Sequence, residues 1–131
     1  MSKKFLAALA VLCILCLAGC SNYQSGYMAV GFVRSNTSRS GRMSFISFEG
    51  TQVLTMRYED DGEGTIRYSA KLGSGSASVY YDCGEGKTLL FAVRGGDNLQ
   101  GSGGQLKEGA VYIVVETDGA CEDGEFRFEI E

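Results

Sequence analysis

The stretch Ile66-Arg67-Tyr68-Ser69-Ala70-Lys71-Leu72 alternates apolar and polar side chains without a break, and so does Phe126-Arg127-Phe128-Glu129-Ile130. A period of two puts successive side chains on opposite sides of an extended chain. Each stretch therefore reads as a strand with one buried face and one wet face. Similar runs fit residues 27–33, 43–48, 52–58, 76–81, 88–93 and 111–116, for eight strands in all. Between them fall Asp60-Asp61-Gly62-Glu63-Gly64, Gly73-Ser74-Gly75, Gly84-Glu85-Gly86 and Asp118-Gly119. These turns offer the positive φ angles that tight reversals need. Short strands separated by such turns predict an all-β fold: an antiparallel β-sandwich of jelly-roll type, with about eight strands.

Parity then assigns the core. Ile66, Tyr68, Ala70 and Leu72 point one way, with Ala77, Val79 and Tyr81 beside them. Leu89, Phe91 and Val93 follow, and Val111, Ile113 and Val115 face Phe126, Phe128 and Ile130. The stretch from Gly95 to Gly104 reads as a flexible connection. Glycine-rich loops that cradle phosphate lead into a helix N-terminus, and none follows here.

Composition narrows the function. The 131 residues include no His, Trp or Pro, and the net charge is −4. Without His the chain lacks the commonest general base and the commonest metal ligand. An acidic chain does not bind nucleic acid through bulk charge.

The N-terminus carries its own message. Lys3 and Lys4 precede an uncharged apolar run from Phe5 to Leu17. A helix of that length spans about 20 Å, short of a bilayer core of roughly 30 Å. A positive start, a short apolar run and small residues at its end describe a signal peptide. The sequence Leu17-Ala18-Gly19-Cys20 resembles the lipobox of bacterial lipoproteins. That resemblance implies cleavage after Gly19, lipid on the Cys20 thiol, and a protein anchored at the extracytoplasmic face of the cell membrane or outer membrane. Two acyl chains hold such an anchor stably, where one binds only marginally. Residues 1–19 are then a discarded signal, 20–26 a short polar tether and 27–131 one domain. Losing Lys3 and Lys4 leaves ten basic side chains against sixteen acidic ones. Cys13 and Cys16 go with the signal. Cys83 and Cys121 remain, and a cysteine pair in an exported domain reads as a disulfide. Closing a loop of about 38 residues would add roughly 4 kcal/mol in the chain-entropy account. Two free thiols are the alternative.

Gly109-Ala110-Val111-Tyr112-Ile113-Val114-Val115-Glu116 and Gly124-Glu125-Phe126-Arg127-Phe128 resemble segments of small β-sandwich lipoproteins of Gram-positive gut bacteria. The pattern is also similar to pre-peptidase and carbohydrate-binding jelly rolls. These likenesses imply a fold and leave the activity open.

Three features are candidates for a site. Glu59, Asp60, Asp61 and Glu63 form an acidic turn able to offer oxygen ligands to calcium, with Asp118, Glu122 and Asp123 as a second acidic turn. A solvated hairpin is the plainer reading of both. Tyr80 and Tyr112 take the outward parity and could stack on sugar rings. The many carboxylates could in principle serve a hydrolase, but nothing in the sequence selects a pair. The leading expectation is a non-enzymatic binding or accessory module for an envelope protein. A carbohydrate-binding module using Tyr80 and Tyr112, with or without calcium, is the alternative. A small carboxylate hydrolase is third.

Overall fold

In β4 (Gly64–Ser74) the alternation holds as read: Ile66, Ala70 and Leu72 are buried, while Arg67 and Lys71 are exposed. The computed structural model describes residues 23–131, so the signal segment 1–19 and Cys20 lie outside the described residues. Eight further strands surround β4. They are β1 (Gly26–Val30), β2 (Val33–Asn36), β3 (Ser40–Tyr58), β5 (Ser76–Asp82), β6 (Thr88–Arg94), β7 (Asn98–Leu106), β8 (Gly109–Thr117) and β9 (Cys121–Ile130). All pairings are antiparallel, in the order β6-β5-β8-β3-β9-β4-β7, with β1 and β2 both on β3.

The sandwich arises by folding one sheet over. The first half of β3 pairs with β9 and its second half with β8. β4 likewise lies on β9, and its continuation β5 lies on β8. The long strands therefore cross a common fold line at Gly50, at residues 118–120, at Gly75 and at residues 95–97. Gly50 has φ 132° and Gly75 has φ 93°, angles that only glycine adopts without strain. The first layer contains the start of β3 with β9, β4 and β7. The second contains the end of β3 with β8, β5 and β6.

Aromatic rings fill the space between the layers. Phe91 of β6 stacks on Tyr68 of β4 at 4.3 Å, and lies 6.4 Å from Phe126 and 6.2 Å from Phe128 of β9. Phe45 stacks on Phe126 at 6.2 Å and lies directly opposite Gly124, where a Cβ would overlap its ring. Ile66, Val79, Val93, Val111, Ile113 and Val115 are buried in the positions parity assigned, and Met43, Phe48, Leu54, Met56 and Leu106 join them.

The structure corrects three expectations. Residues 98–106 of the glycine-rich stretch form the edge strand β7. Glycine is needed there because Gly101 lies under the Tyr68 ring and Gly104 against the Tyr81 ring. Leu89 is 54 % exposed rather than core, because the β5–β6 register slips between Val79 and Tyr80 and turns it outward. Cys83 and Cys121 are free thiols and not a disulfide. Cys121 lies against Gly75 and donates to the Ser76 carbonyl, while Cys83 follows the far end of β5 and donates to Gln105. Seven steps of extended chain run from Ser76 to Cys83, roughly 23 Å along the strand. A disulfide needs Cα atoms within about 7 Å.

Burial pushes the Cys121 thiol up in pKa, and the residue is fully buried. Thiolate is the reactive form, so Cys121 should resist modification in the native state. Of the two thiols of the described residues, half-buried Cys83 should therefore react fast with a chromogenic disulfide reagent, and Cys121 only on denaturation. Finding no thiol in the denatured, unreduced protein would restore the disulfide.

Candidate functional site

The outward side chains of the first layer line up in rows across its strands. Ser35 of β2 faces Arg42 of β3, Arg42 faces Arg127 of β9, Arg127 faces Ser69 of β4, and Ser69 faces Gln100 of β7. In the next row Ser40, Glu129, Arg67 and Ser102 are register partners in turn. Register partners on one face have Cβ atoms about 5 Å apart, so each row is continuous. Together these side chains line an open groove of about 760 Å³. Five strands at about 4.8 Å spacing make it roughly 19 Å long.

Most side chains lining the groove are polar, and several are donors. Arg127 Nε donates to Glu125 Oε1 at 2.7 Å, and Arg67 pairs with Glu131. Among the ion pairs of the described residues none includes Arg42. Serine hydroxyls and the Gln100 amide both donate and accept. The arrangement can hold a polar, hydroxyl-bearing ligand laid across the strands. Two carboxylates, Glu129 and Glu131, also reach the groove. Glu131 is engaged by Arg67, and Glu129 is exposed on the open face.

The alternating pattern already placed Arg67, Ser69, Arg127 and Glu129 outward. Their meeting on one floor depends on β9, the last strand, inserting between β3 and β4. Arg42 and Gln100 carried no local signal.

Tyr80 and Tyr112 lie together on the outer face of the second layer, where Tyr80 is paired with Val114 and Tyr112 with Asp82. Their rings are engaged by the chain itself. The Lys87 ammonium sits 4.4 Å over the Tyr80 ring and is held by Glu116 at 3.0 Å. The Tyr23 ring packs 5.8 Å from Tyr112. A sugar would have to displace these contacts, whereas the opposite face offers a groove lined by Ser35, Ser69 and Ser102, with the Ser40 hydroxyl already bonded to Thr37.

Tyr23 is itself a latch. Its hydroxyl donates to Asp82 Oδ2 at 2.6 Å, and Asp82 Oδ1 accepts from Gly84 and Gly86. Ser25 Oγ accepts from the Val53 amide at 2.9 Å. Residues 23–26 thus lie against the domain rather than forming a free tether. The Asp82 hydrogen bond, then burial, pushes the Tyr23 pKa up from 10.0 to about 12. The same hydrogen bond holds the Asp82 carboxyl below its ordinary 3.8, although burial opposes it. A raised tyrosine pKa adds stability that is whole below pH 10 and is lost as pH rises through about 12. A lowered aspartate pKa adds stability that is whole above 3.8 and is lost as pH falls through the folded value. The latch should therefore hold through neutral pH. Tyr23→Phe should cost under about 1 kcal/mol, since the pair is partly solvated. It should also speed hydrogen exchange at the Val53 amide at pH 7. An unchanged Val53 rate would mean that Ser25 is held without Tyr23.

Two carboxylates of the acidic turn are paired within the chain. Glu59 pairs with Arg57 at 3.6 Å, and Asp60 pairs with Arg39 at 3.6 Å. Asp61 and Glu63 share the turn between β3 and β4, which lies at the end of the sandwich away from the fold line. Asp118 lies on the fold line, so the two acidic turns do not share a site. Among the described residues no group of three or more His, Cys, Asp or Glu side chains is placed to hold a metal.

No protein-family model matches the chain, and no curated protein matches it. Among solved structures it is similar to the pre-peptidase C-terminal domain of a collagenase from Bacillus anthracis. That match has 15 % identity and a TM-score of 0.49, over 85 % of this chain and all of that one. A family 61 carbohydrate-binding module solved with β-1,4-galactotriose matches at 12 % identity and TM-score 0.44, over 86 % of this chain and 72 % of that one. A periplasmic inhibitor of g-type lysozyme from Aeromonas hydrophila matches at 11 % identity and TM-score 0.45, over 72 % and 88 % of the two chains. Similarities at this level carry no argument about what the chain binds.

Proposed function

We propose that this protein is a non-enzymatic, lipid-anchored binding module that takes a glycan along the outer face of its first layer. One observation carries the reading: five strands contribute register-matched hydroxyl, amide and guanidinium groups to one groove. Sugars present many hydroxyls, and a floor of paired donors and acceptors satisfies them without a deep apolar pocket. The open face supplies no enclosed cleft around Glu129 in which water could be excluded from a reacting bond.

The anchor agrees with this orientation. Three peptide links join Cys20 to Tyr23, a reach of at most about 11 Å. Lipid on Cys20 would hold the outer face of the second layer toward the membrane and leave the groove facing away. Metabolic labelling with a fatty-acid analogue should mark the protein, and Cys20→Ser should abolish the label and release the protein from membranes.

The glycan reading is tested by screening the full-length protein against an array of neutral and acidic glycans. Binding that disappears in Ser69→Trp, which fills the middle of the groove, supports it. No binding to any glycan at millimolar concentration would sink it.

A second reading has its own observation. Met28 (78 % exposed), Val30, Val33 and Ile46 form an apolar strip along β1, β2 and the adjoining part of β3. Such a strip suits an envelope protein partner. In-cell crosslinking from position 30 that captures one dominant envelope protein would favour this role. Its absence would leave the groove as the working surface.

A further inference from the structure

We infer that the ligand of this groove bears an anionic group, a carboxylate or sulfate ester carried on a sugar, and that Arg42 and Arg127 read it as a pair. The inference rests on the glycan reading of the same groove and adds the chemical class of the sugar. Arg42 and Arg127 are direct register partners on β3 and β9 and share the outward face. Like charges directly opposite one another in a sheet repel, and sequences ordinarily avoid placing them so. A neighbouring carboxylate offsets the charge only at Arg127, where Glu125 takes Nε and leaves the two terminal nitrogens of the guanidinium without a hydrogen bond among the described residues. Glu125 is bonded to Arg127 and Glu131 to Arg67, while Glu129 sits in the next row opposite Ser40 and Arg67. Among the described residues Arg42 has no carboxylate partner within ion-pair distance. The chain as a whole is acidic, at −4, whereas on this face the four cations Arg42, Arg67, Arg127 and Lys71 outnumber the three carboxylates Glu125, Glu129 and Glu131 by one.

An anion between the two guanidinium groups would relieve the repulsion and receive charge-assisted hydrogen bonds from both forks. Ser35 flanks the pair beside Arg42 and Ser69 flanks it beside Arg127, so the hydroxyls of the same sugar would meet donors and acceptors on each side. A neutral sugar would leave the repulsion in place. An acidic peptide would satisfy the arginines but would leave the serine rows without matching hydroxyls.

The test is calorimetric titration of the full-length protein with three probes of equal length: an oligogalacturonate, a sulfated galactan oligomer and a neutral oligogalactoside. Poly-glutamate serves as the peptide control. At least one acidic glycan should bind about tenfold or more tighter than the neutral one, the scale set by a charge-assisted bond. That preference should weaken as salt rises. Arg42→Gln should abolish it, while Arg57→Gln, outside the groove, should not. Arg42→Gln removes a repulsion, so its urea midpoint should be unchanged or higher, which separates lost binding from lost fold. Whichever acidic oligomer binds identifies carboxylate or sulfate as the anion. Equal binding of acidic and neutral oligomers, unaltered by Arg42→Gln, overturns the anion inference and leaves the glycan reading intact. Binding of poly-glutamate alone, or of nothing, overturns both.

Discussion

Replacing Phe126 by alanine is expected to destabilise the fold by about 3–5 kcal/mol, the usual cost of emptying a buried aromatic site. Phe126 has no exposed surface. Its ring lies between Phe45 at 6.2 Å in the first layer and Phe91 at 6.4 Å in the second. Removing it takes away one of the three rings, with Tyr68 and Phe128, through which the first layer meets Phe91 of the second. Neighbours cannot collapse into the space, because the backbone on either side of Phe126 is held in ladders with both β3 and β4. A domain of this size has about 5–15 kcal/mol in all, so the variant would be marginal at 37 °C. Urea denaturation should show a midpoint lower by about 2 M with an unchanged slope. Phe126→Leu should lose much less, since it keeps most of the volume. Leu89→Ala should change almost nothing, because Leu89 is 54 % exposed. A loss below about 1 kcal/mol at Phe126 would mean that the layers are held together elsewhere.

The strands were legible because one-sided burial writes a period of two into the sequence. Ile66 to Leu72 and Phe126 to Ile130 needed only that rule, and their buried and exposed faces match it. β7 was not legible. Its glycines serve tertiary contacts with Tyr68, Leu90 and Tyr81, and a run of Gly and Ser looks the same whether it is a loop or an edge strand. Leu89 misled because a bulge reverses parity without leaving a composition signal. The disulfide expectation failed for a related reason. Cysteine count and compartment say nothing of distance, and Cys121 sits against the start of β5 while Cys83 follows its far end. The groove was half legible. Alternation gave Arg127, Ser69 and Arg67 their outward aim, but strand order decides which outward residues become neighbours. That order places the last strand between β3 and β4, a long-range arrangement that local periodicity does not encode. Tyr80 and Tyr112, given the outward parity by the alternation, lie on the outer face of the second layer. Their covers, Lys87 and Tyr23, come from other segments and so lay beyond a strand-by-strand reading.

The fold line gives the second large effect. Gly75→Ala should cost about 3 kcal/mol, from two separable sources. The first is conformational: φ at Gly75 is 93°, where a Cβ is strained in any surroundings. The second is steric: a Cβ there would lie 2.7 Å from the Ala120 carbonyl oxygen, 2.8 Å from Cys121 Sγ and 3.0 Å from Cys121 Cα. Two of those three atoms are backbone and cannot swing aside. Gly62 supplies the control, with φ 90° and nothing within 4 Å of a built Cβ. Gly62→Ala should therefore show the conformational cost alone, about 1–2 kcal/mol. The excess at Gly75 measures how tightly the β4–β5 crossing is pressed against the β8–β9 crossing. Thiol reactivity provides an independent reading of the same contact. If the added methyl pushes the two crossings apart, Cys121 should become reactive in the native state of Gly75→Ala and stay silent in Gly62→Ala. Equal losses in the two variants, with Cys121 protected in both, would show that the crossings slide past one another freely. Sheet closure at the fold line would then rest on the aromatic core and not on close backbone packing.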